Sequence, residues 1–330
     1  MGKLHLLNAL HIDDVSVIAA ADKSEKNRKS VERYGVKTYD DYRELIDTEK
    51  LDAIIVSLPN FLKKEGVFYA AEKGVDVFLD KPLARNLAEA NEIIQKVERE
   101  KVRLMVGVNY RYFESVQKLK EVFDEGRVGN VIITTSDLIL NGPFSHPLVP
   151  APVPEWWLDK KLSGGGALLD LGYHLIDILV WMFGDLEIAH SELRHSLNLP
   201  VEDAATLMLK SKNTEATCIV NAGWFSRSVF PDFNFRINIH GTAGYDSTDH
   251  YAPKNMRVHA AKEGLKNFLR RIAMKEVHYL SYTYYYASFF DILKIFFESI
   301  NKGTDFPIPL NDELETMRII DTVYDKHEEK

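Results

Sequence analysis

Apolar residues in the first hundred positions fall into two alternating patterns. Four short runs rich in β-branched residues predict buried strands at residues 15–22, 51–59, 75–82 and 103–109. Helical spacing between these runs predicts helices at residues 3–10, 27–34, 42–46, 65–73 and 87–101, with a brief extended piece at 37–39. Strands and helices that alternate at this length form right-handed βαβ units, so the first part of the chain is predicted to be an α/β fold around a parallel sheet.

A second sheet is indicated further along the chain. Strand-like runs occur at residues 131–140, 205–211, 215–225 and 235–241. A helix predicted at 113–125 connects the two parts, so we place the domain boundary just after Asn109. The 330 residues are thereby divided into a domain of residues 1–110 and a domain of residues 111–330.

Polar residues stand where the predicted parallel strands end. Ligands of such sheets bind beyond the carboxyl ends of the strands, because the loops there converge on one edge. The residues at this edge are Asp22, Pro59, Asn60, Asp80, Lys81, Pro82 and Asn109.

Asp22 fits the acidic residue that dinucleotide-binding folds place after their second strand to bond a ribose. It follows Gly2 at the ~20-residue spacing of the glycine fingerprint in such folds. The rest of that fingerprint and the strand before it are absent from the sequence, and that strand is normally central. A gap there would leave backbone groups unpaired. We therefore expect a further ~20–30 residues at the native N-terminus; the alternative is a diverged fold that closes the gap in another way.

The segment at residues 163–184 contains several residues that could take part in binding or catalysis. Three glycines, at residues 164–166, permit a tight turn, and an apolar helix is predicted after them. On it, Asp170, His174 and Asp177 are spaced at i, i+4 and i+7 and would share one face. This polar stripe is either a satisfied structural network, a carboxylate holding an imidazole for proton transfer, or a metal site. No His/Cys cluster accompanies it, so no metal is assigned.

The net charge, the cysteine content and the lengths of the apolar runs limit the kinds of partner and location that we expect for this protein. A net charge of −8 argues against a general nucleic-acid binder. Cys218 is the single cysteine, which excludes an intramolecular disulfide and fits a reducing cytoplasm. The N-terminal residues do not form a signal peptide, and no uncharged run reaches the ~18–20 residues of a membrane span. We expect a cytoplasmic protein without nucleic-acid or membrane partners.

The motifs of both parts, taken in order, resemble those of the glucose–fructose oxidoreductase/inositol dehydrogenase (Gfo/Idh/MocA) family over nearly the whole chain. The most specific match is GGGALLDLGYHLIDILVWMFG at 164–184, which follows G-G-G-x-L-x-D-x-G-x-H-x-x-D-x-x-x-W-x-x-G. Asp80-Lys81-Pro82 stands for the family's E-K-P, and GVNYRY at 107–112 matches G-x-N/H-x-R-F/Y. PNFLKKE at 59–65 carries Lys63 where the family usually has His.

The resemblance implies a Rossmann-type domain followed by an α+β domain with a large, mainly antiparallel open sheet. One face of that sheet would mediate homodimer or homotetramer contacts. The implied activity is hydride transfer between NAD(P) and a secondary alcohol of a sugar, cyclic polyol or nucleotide sugar. An alternative is a non-catalytic sugar- or nucleotide-binding protein that kept the fold with a degenerate cofactor site.

Three residues are implied to be catalytic. Lys81 would polarise the substrate oxygen, and His174 would accept the hydroxyl proton, since an ordinary histidine pKa of about 6.5 suits reversible transfer. Asp170 would orient His174 or bind a substrate hydroxyl. Whether Lys81 or His174 is the final base stays open, and Asp177 is expected to be structural.

The cofactor and substrate contacts follow from the same resemblance. The cofactor NAD is expected to be lined by Gly2, Asp22, Pro59, Asn60, Asp80, Lys81 and Asn109. Asp22 favours NAD by repelling a 2′-phosphate, although NADP is not excluded. Substrate contacts are expected from Arg111, Trp157 and Tyr173.

A basic segment at residues 254–275 and a tyrosine-rich segment at 279–290 depart from a minimal family member. Together they predict either a solvated helix face with a sheet-edge or subunit contact, or a cap that binds a phosphorylated or nucleotide-linked sugar. The stretch at 289–300 is amphipathic and is expected to belong to the core.

Overall fold

The computed structural model describes residues 1–144, 154–225, 234–274 and 284–328. The first part contains five parallel strands: β1 (Ala19–Ala21), β2 (Lys37–Tyr39), β3 (Ala53–Val56), β4 (Asp76–Leu79) and β5 (Leu104–Val106). The helices between them are α1 (Gly2–Ala9), α2 (Glu25–Glu32), α3 (Tyr42–Thr48), α4 (Asn60–Glu72) and α5 (Leu87–Glu100). Each predicted element is present, although the strands are shorter than the apolar runs.

The parallel strands form two sheets rather than one. β1 pairs with β2, and β3, β4 and β5 form a separate three-stranded sheet. In the part of the chain that the structure describes, no ladder joins β1 to β3, which is the position where the sequence predicted a gap. Leu6 and Leu7 of α1 instead pack with Val31 and Val36, so an apolar cluster links α1 to α2 beside the gap.

The second part is built on a six-stranded sheet in the order β11-β10-β6-β9-β8-β7. Its strands are β6 (Val131–Ile139), β7 (Leu186–Arg194), β8 (Ala204–Ser211), β9 (Thr217–Gly223), β10 (Asn234–Gly241) and β11 (Tyr245–Ser247). All neighbours are antiparallel except β6 and β9. The predicted fold class, a parallel sheet followed by a larger, mainly antiparallel one, is confirmed.

The helices of the second part pack on this sheet, on one another or against the first part. They are α6 (Glu114–Asp124), α7 (Lys160–Ser163), α8 (Tyr173–Phe183), α9 (Met256–Ile272), α10 (Tyr284–Lys302) and α11 (Leu310–Glu328). The stretch Lys160–Phe183 is long and apolar enough to cross a membrane, but 89% of its most apolar window is buried inside the protein. Most of this stretch therefore belongs to the core.

The two C-terminal helices belong to the core. Phe290, Leu293 and Phe296 of α10 are buried, which confirms the prediction for residues 289–300. α10 packs against α1 and against the turn after β5, so it ties the second part to the first. Residues 275–283, which include the first five positions of the tyrosine-rich segment 279–290, lie outside the described residues.

Candidate active site

The loop after β4 brings Asp80 to the carboxyl edge of the three-stranded sheet. Its buried carboxylate accepts a hydrogen bond from Ser57 Oγ at 3.0 Å and contacts His5 Nε2 at 3.2 Å. Burial by itself would raise the pKa of Asp80, but the charges of His5 and Lys63 outweigh burial and hold that pKa well below its usual range. Asp80 is therefore an ionised anchor of the loop.

Lys63 fixes the same loop from α4. Its buried ammonium donates hydrogen bonds to the carbonyl oxygens of Asp80 at 2.8 Å, Lys81 at 2.7 Å and Pro82 at 3.1 Å. Burial lowers the pKa of Lys63 to about 7, Asp80 opposes that shift and Lys81 adds to it. The residue that departs from the family pattern thus holds three successive carbonyls of the loop that carries Lys81.

Lys81 joins the two parts of the chain. Its Nζ donates to the Asp170 carbonyl oxygen at 2.7 Å and to Asp170 Oδ1 at 2.9 Å. Trp224 Nε1 donates to the other carboxylate oxygen of Asp170 at 3.1 Å. The side chains of Lys81 and Asp170 are 21% and 24% exposed, so this buttressed ion pair remains reachable by a small molecule.

Asp170 lies in a π-helical turn, Leu168–Gly172, that precedes α8. A π turn holds more residues than an α turn, so the i, i+4 alignment expected from a regular helix does not apply between positions 170 and 174. Both Asp170 carboxylate oxygens accept from other partners, Lys81 and Trp224, and in the described residues His174 donates no hydrogen bond to Asp170. The structure does not bring Asp170 and His174 into a hydrogen bond, and the expectation that Asp170 orients His174 stays a prediction. The alternative, that Asp170 binds a substrate hydroxyl, stays a prediction.

His174 is buried and stacks on Tyr110, with ring centroids 3.9 Å apart. Its Nδ1 is buried without a hydrogen-bond partner. Burial, reinforced by the nearby Lys81 charge, lowers the pKa of His174 well below its ordinary 6.5. The site therefore keeps the imidazole neutral at physiological pH, in contrast to the near-neutral titration expected from sequence.

The glycine turn is held by Glu202, which sequence reasoning did not single out. The backbone N–H groups of Gly166 and Leu168 each donate to the Glu202 carboxylate at 3.0 Å, and Tyr324 Oη donates to it at 2.8 Å. A Cβ at Gly165 would lie 2.0 Å from Tyr324 Oη. These glycines therefore permit close packing against protein atoms. The available signal was Glu202 in the VEDAATLML run, an acid within an apolar strand pattern.

Arg111 lies in the core behind the site. Its guanidinium donates to Asp177, with Nε at 2.9 Å and Nη2 at 2.6 Å, and its Nη1 donates to Asp312 at 3.0 Å. These contacts give Asp177 the structural role expected of it. Arg111 is 2% exposed and its donors are directed at carboxylates, so the structure does not bring it to the Lys81–Asp170 pair. Its predicted substrate contact stays a prediction.

The two aromatic residues predicted to contact substrate lie in different places. Tyr173 is fully buried; its hydroxyl donates to Glu313 and accepts the Leu83 N–H at 3.2 Å. Burial raises the pKa of Glu313 well above its usual range, so it is a neutral partner. Trp157 is half-buried in the turn Glu155–Leu158, with its ring 6.0 Å from that of Trp156.

The residues predicted to line the cofactor are spread along the strand edge. Pro59 precedes α4, and Asn60 Nδ2 donates to the Ser163 carbonyl at 2.7 Å, beside the glycine turn. Asn109 is buried, and its Nδ2 donates to Ser288 Oγ of α10 at 2.9 Å. Asn109 is therefore turned towards α10, whereas Asn60 sits between the two parts of the chain.

The opposite end of the edge fits the adenosine half of a dinucleotide. Asp22 is exposed just after β1, and its carboxylate accepts from the Ser24 N–H at 2.8 Å and from Asn27 Nδ2 at 3.0 Å. α1 begins at Gly2, with Met1 as its N-cap residue and no side-chain cap. Asp22 has lone pairs left for ribose hydroxyls. In the described residues, no group of three or more His, Cys, Asp or Glu could hold a metal ion.

Two sequence models of one protein family match this chain. The sequence model described as "Oxidoreductase family, NAD-binding Rossmann fold" (GFO_IDH_MocA) matches residues 1–108, and that of the GFO/IDH/MocA C-terminal domain matches residues 116–245. The myo-inositol 2-dehydrogenase of Thermotoga maritima is 29% identical over 256 residues, 74% of this chain and 71% of that protein. The glucose-6-phosphate 3-dehydrogenase of Bacillus subtilis is 28% identical over 280 residues, 80% and 75% of the two chains.

Solved structures that share this fold include two dehydrogenases. The WlbA dehydrogenase from Bordetella pertussis, solved with NADH and UDP-GlcNAcA, superposes with a TM-score of 0.80 at 16% identity. The match covers 99% of this chain and 92% of that one. The myo-inositol 2-dehydrogenase of Lactobacillus plantarum gives a TM-score of 0.79 at 18% identity, over 99% and 94% of the two chains.

Proposed function

The chain belongs to the GFO/IDH/MocA family of NAD-binding oxidoreductases, and we propose that it oxidises a secondary alcohol of a sugar, cyclic polyol or nucleotide sugar. The observation that carries this proposal is the partly exposed pair of Lys81 and Asp170, which lies where the parallel strands end. Relatives named as dehydrogenases of inositol and glucose 6-phosphate support the substrate class. They do not favour the non-catalytic alternative.

Lys81 and Asp170 are the proposed substrate-binding and activating groups. NAD⁺ bound along the strand edge would supply the hydride acceptor. The Lys81 ammonium donates hydrogen bonds, so it can bind the reacting hydroxyl and stabilise negative charge as the proton leaves. Asp170 holds Lys81 in place and can accept a bond from a neighbouring substrate hydroxyl. This arrangement favours polyhydroxylated substrates.

His174 is the proposed proton acceptor. Because burial keeps its imidazole neutral, the ring can take a proton without first losing one. Its buried Nδ1 has no hydrogen-bond partner in the protein, so no such bond fixes the tautomer of the neutral ring. Stacking on Tyr110 fixes the plane of the ring.

The remaining assignments are part of the same proposal. Asp22 would bind the adenosine ribose, and the charge it carries favours NAD over NADP. Asn60 and the Asp80–Lys81 loop would lie against the nicotinamide half. We also propose a domain boundary after residue 110, a cytoplasmic location and a homodimer or homotetramer.

A kinetic screen tests the proposal. The purified protein is assayed with NAD⁺ and NADP⁺ against a panel of inositols, hexoses, hexose phosphates and nucleotide sugars, and NADH is read by absorbance. We expect Lys81→Met and His174→Ala to lower kcat for the best substrate by about 100-fold or more, the range of general acid–base and electrostatic contributions. Lys64→Met is the matched control, since Lys64 pairs with Glu92 at the surface.

Two results would count against the proposal. Turnover that survives in both Lys81→Met and His174→Ala would remove these residues from the chemistry. Binding of a sugar without NAD binding or turnover across the whole panel would favour the non-catalytic alternative instead.

A further inference from the structure

Helix α9 turns its apolar side away from the protein. The residues of α9 that are partly covered share one side of the helix: Met256, His259, Ala260, Glu263, Asn267 and Arg270. At 100° per residue they span about 100° of the helix circumference. His259 on this side contacts the ring of Tyr284, with centroids 5.9 Å apart. The helix therefore rests on α10 through a mainly polar face.

The opposite face is an apolar stripe in contact with solvent. Val258, Leu265, Phe268, Leu269 and Ile272 are 50–64% exposed and form this outward stripe. Their helical positions fall within about 100° of one another, centred roughly opposite the covered side. From Val258 to Ile272 the stripe is about 21 Å long. A contiguous exposed apolar surface of this kind marks an interaction site.

Cations border the stripe on both sides. Arg257 and Arg271 lie along one edge, and Lys262 and Lys266 lie along the other, by the same helical positions. With Arg270 they make five basic residues in α9 against a single acid, Glu263, although the whole chain carries a net charge of −8. Basic side chains thus flank the exposed apolar stripe of α9 in a protein of net negative charge, and one of them, Lys266, is also paired with Glu263 within the helix.

We propose that α9 binds an anionic lipid surface, with the apolar stripe inserted between headgroups and the flanking cations paired with lipid phosphates. A helix with an apolar stripe and basic residues on both borders lies in the plane of such an interface. Each border cation near an anionic bilayer adds electrostatic attraction. This departs from the expectation, drawn from sequence, that the protein has no membrane contact.

Charge argues against a second copy of the chain as the occupant. If two copies met symmetrically through α9, the basic borders of both helices would face each other, and like charges across an interface are unfavourable. A lipid surface presents no such repulsion.

The test is flotation of the full-length protein with vesicles. We expect the protein to float with vesicles of mixed phosphatidylcholine and phosphatidylglycerol but not with phosphatidylcholine alone, and the binding to weaken as salt is raised. Leu265→Asp should reduce the bound fraction at least tenfold, and the double variant Arg257→Glu/Lys262→Glu should act similarly. Leu197→Asp, which changes an exposed leucine between β7 and β8, should bind like the wild type.

Light scattering after gel filtration supplies the second measurement. If Leu265→Asp lowers the oligomeric mass of vesicle-free protein, α9 is a contact between copies and the lipid proposal fails. Equal flotation of the wild type and Leu265→Asp, or no flotation of the wild type, overturns it as well. These outcomes do not depend on dehydrogenase turnover, so they are distinguishable from failure of the proposed function.

Discussion

Replacing Lys63 by Met tests how the loop that carries Lys81 is held. Met keeps the length of the side chain but removes the donor that binds the carbonyls of Asp80, Lys81 and Pro82. Because Lys63 is 2% exposed, its protonation is tied to folding. The substitution therefore removes a specific dependence of the free energy of unfolding on pH.

The magnitude follows from the pKa difference. In the fold, burial lowers the pKa of Lys63 from 10.5 to about 7. Between these values the unfolded chain binds more protons at this position than the folded chain, so the folded state gains stability as the pH rises. Across the whole window the gain is about 5 kcal/mol, and between pH 7 and pH 9 it is about 2 kcal/mol. Lys63→Met lacks this gain.

The assay is urea unfolding of both proteins at pH 7 and at pH 9. Other titrating groups are common to the two proteins and cancel when the changes with pH are compared. We expect the free energy of unfolding of the wild type to rise by about 2 kcal/mol more than that of Lys63→Met. Parallel changes would refute the reasoning, because they would mean that the three carbonyls keep Lys63 charged beyond pH 9. Lys64→Met, at a partly exposed neighbour, should follow the wild type.

The remaining predictions concern buried groups elsewhere. Asp177→Asn should lower the free energy of unfolding by about 3 kcal/mol, because it removes the bidentate carboxylate partner of the buried Arg111 and leaves that guanidinium with its ion pair to Asp312; a urea titration that shows less than about 1 kcal/mol would contradict this. Gly165→Ala should lower the thermal midpoint by several degrees, since its Cβ would overlap Tyr324 Oη, and an unchanged midpoint would show that the turn can shift. Cys218 is fully buried with its pKa raised to about 12, so a disulfide reagent at pH 8 should label it only after denaturation; rapid labelling of the native protein would argue against this burial.

The strand-end position of Lys81 could be predicted from sequence because apolar runs mark where buried strands end. Its partner Asp170 was found by the glycine-rich motif, but the contact between the two joins residues 89 apart and no local pattern encodes it. The π-helical turn was missed because good helix formers at 167–172 predict a regular helix equally well. Glu202 was missed although it stands as an acid beside an apolar strand pattern, because that pattern does not show which backbone N–H groups of another segment its carboxylate binds.

The outward apolar stripe of α9 is another feature that could not be predicted from sequence. Its periodicity predicts an amphipathic helix, and the ordinary inference is that the apolar face packs inward. Periodicity gives the width of the apolar face of a helix. It does not show whether that face is turned towards the protein or towards solvent, because this depends on how the rest of the chain packs. Here the polar face is the covered one, with His259 against Tyr284. An amphipathic helix that is attached by its polar side leaves its apolar side for a partner outside the chain, so the orientation, rather than the pattern, carries the functional information.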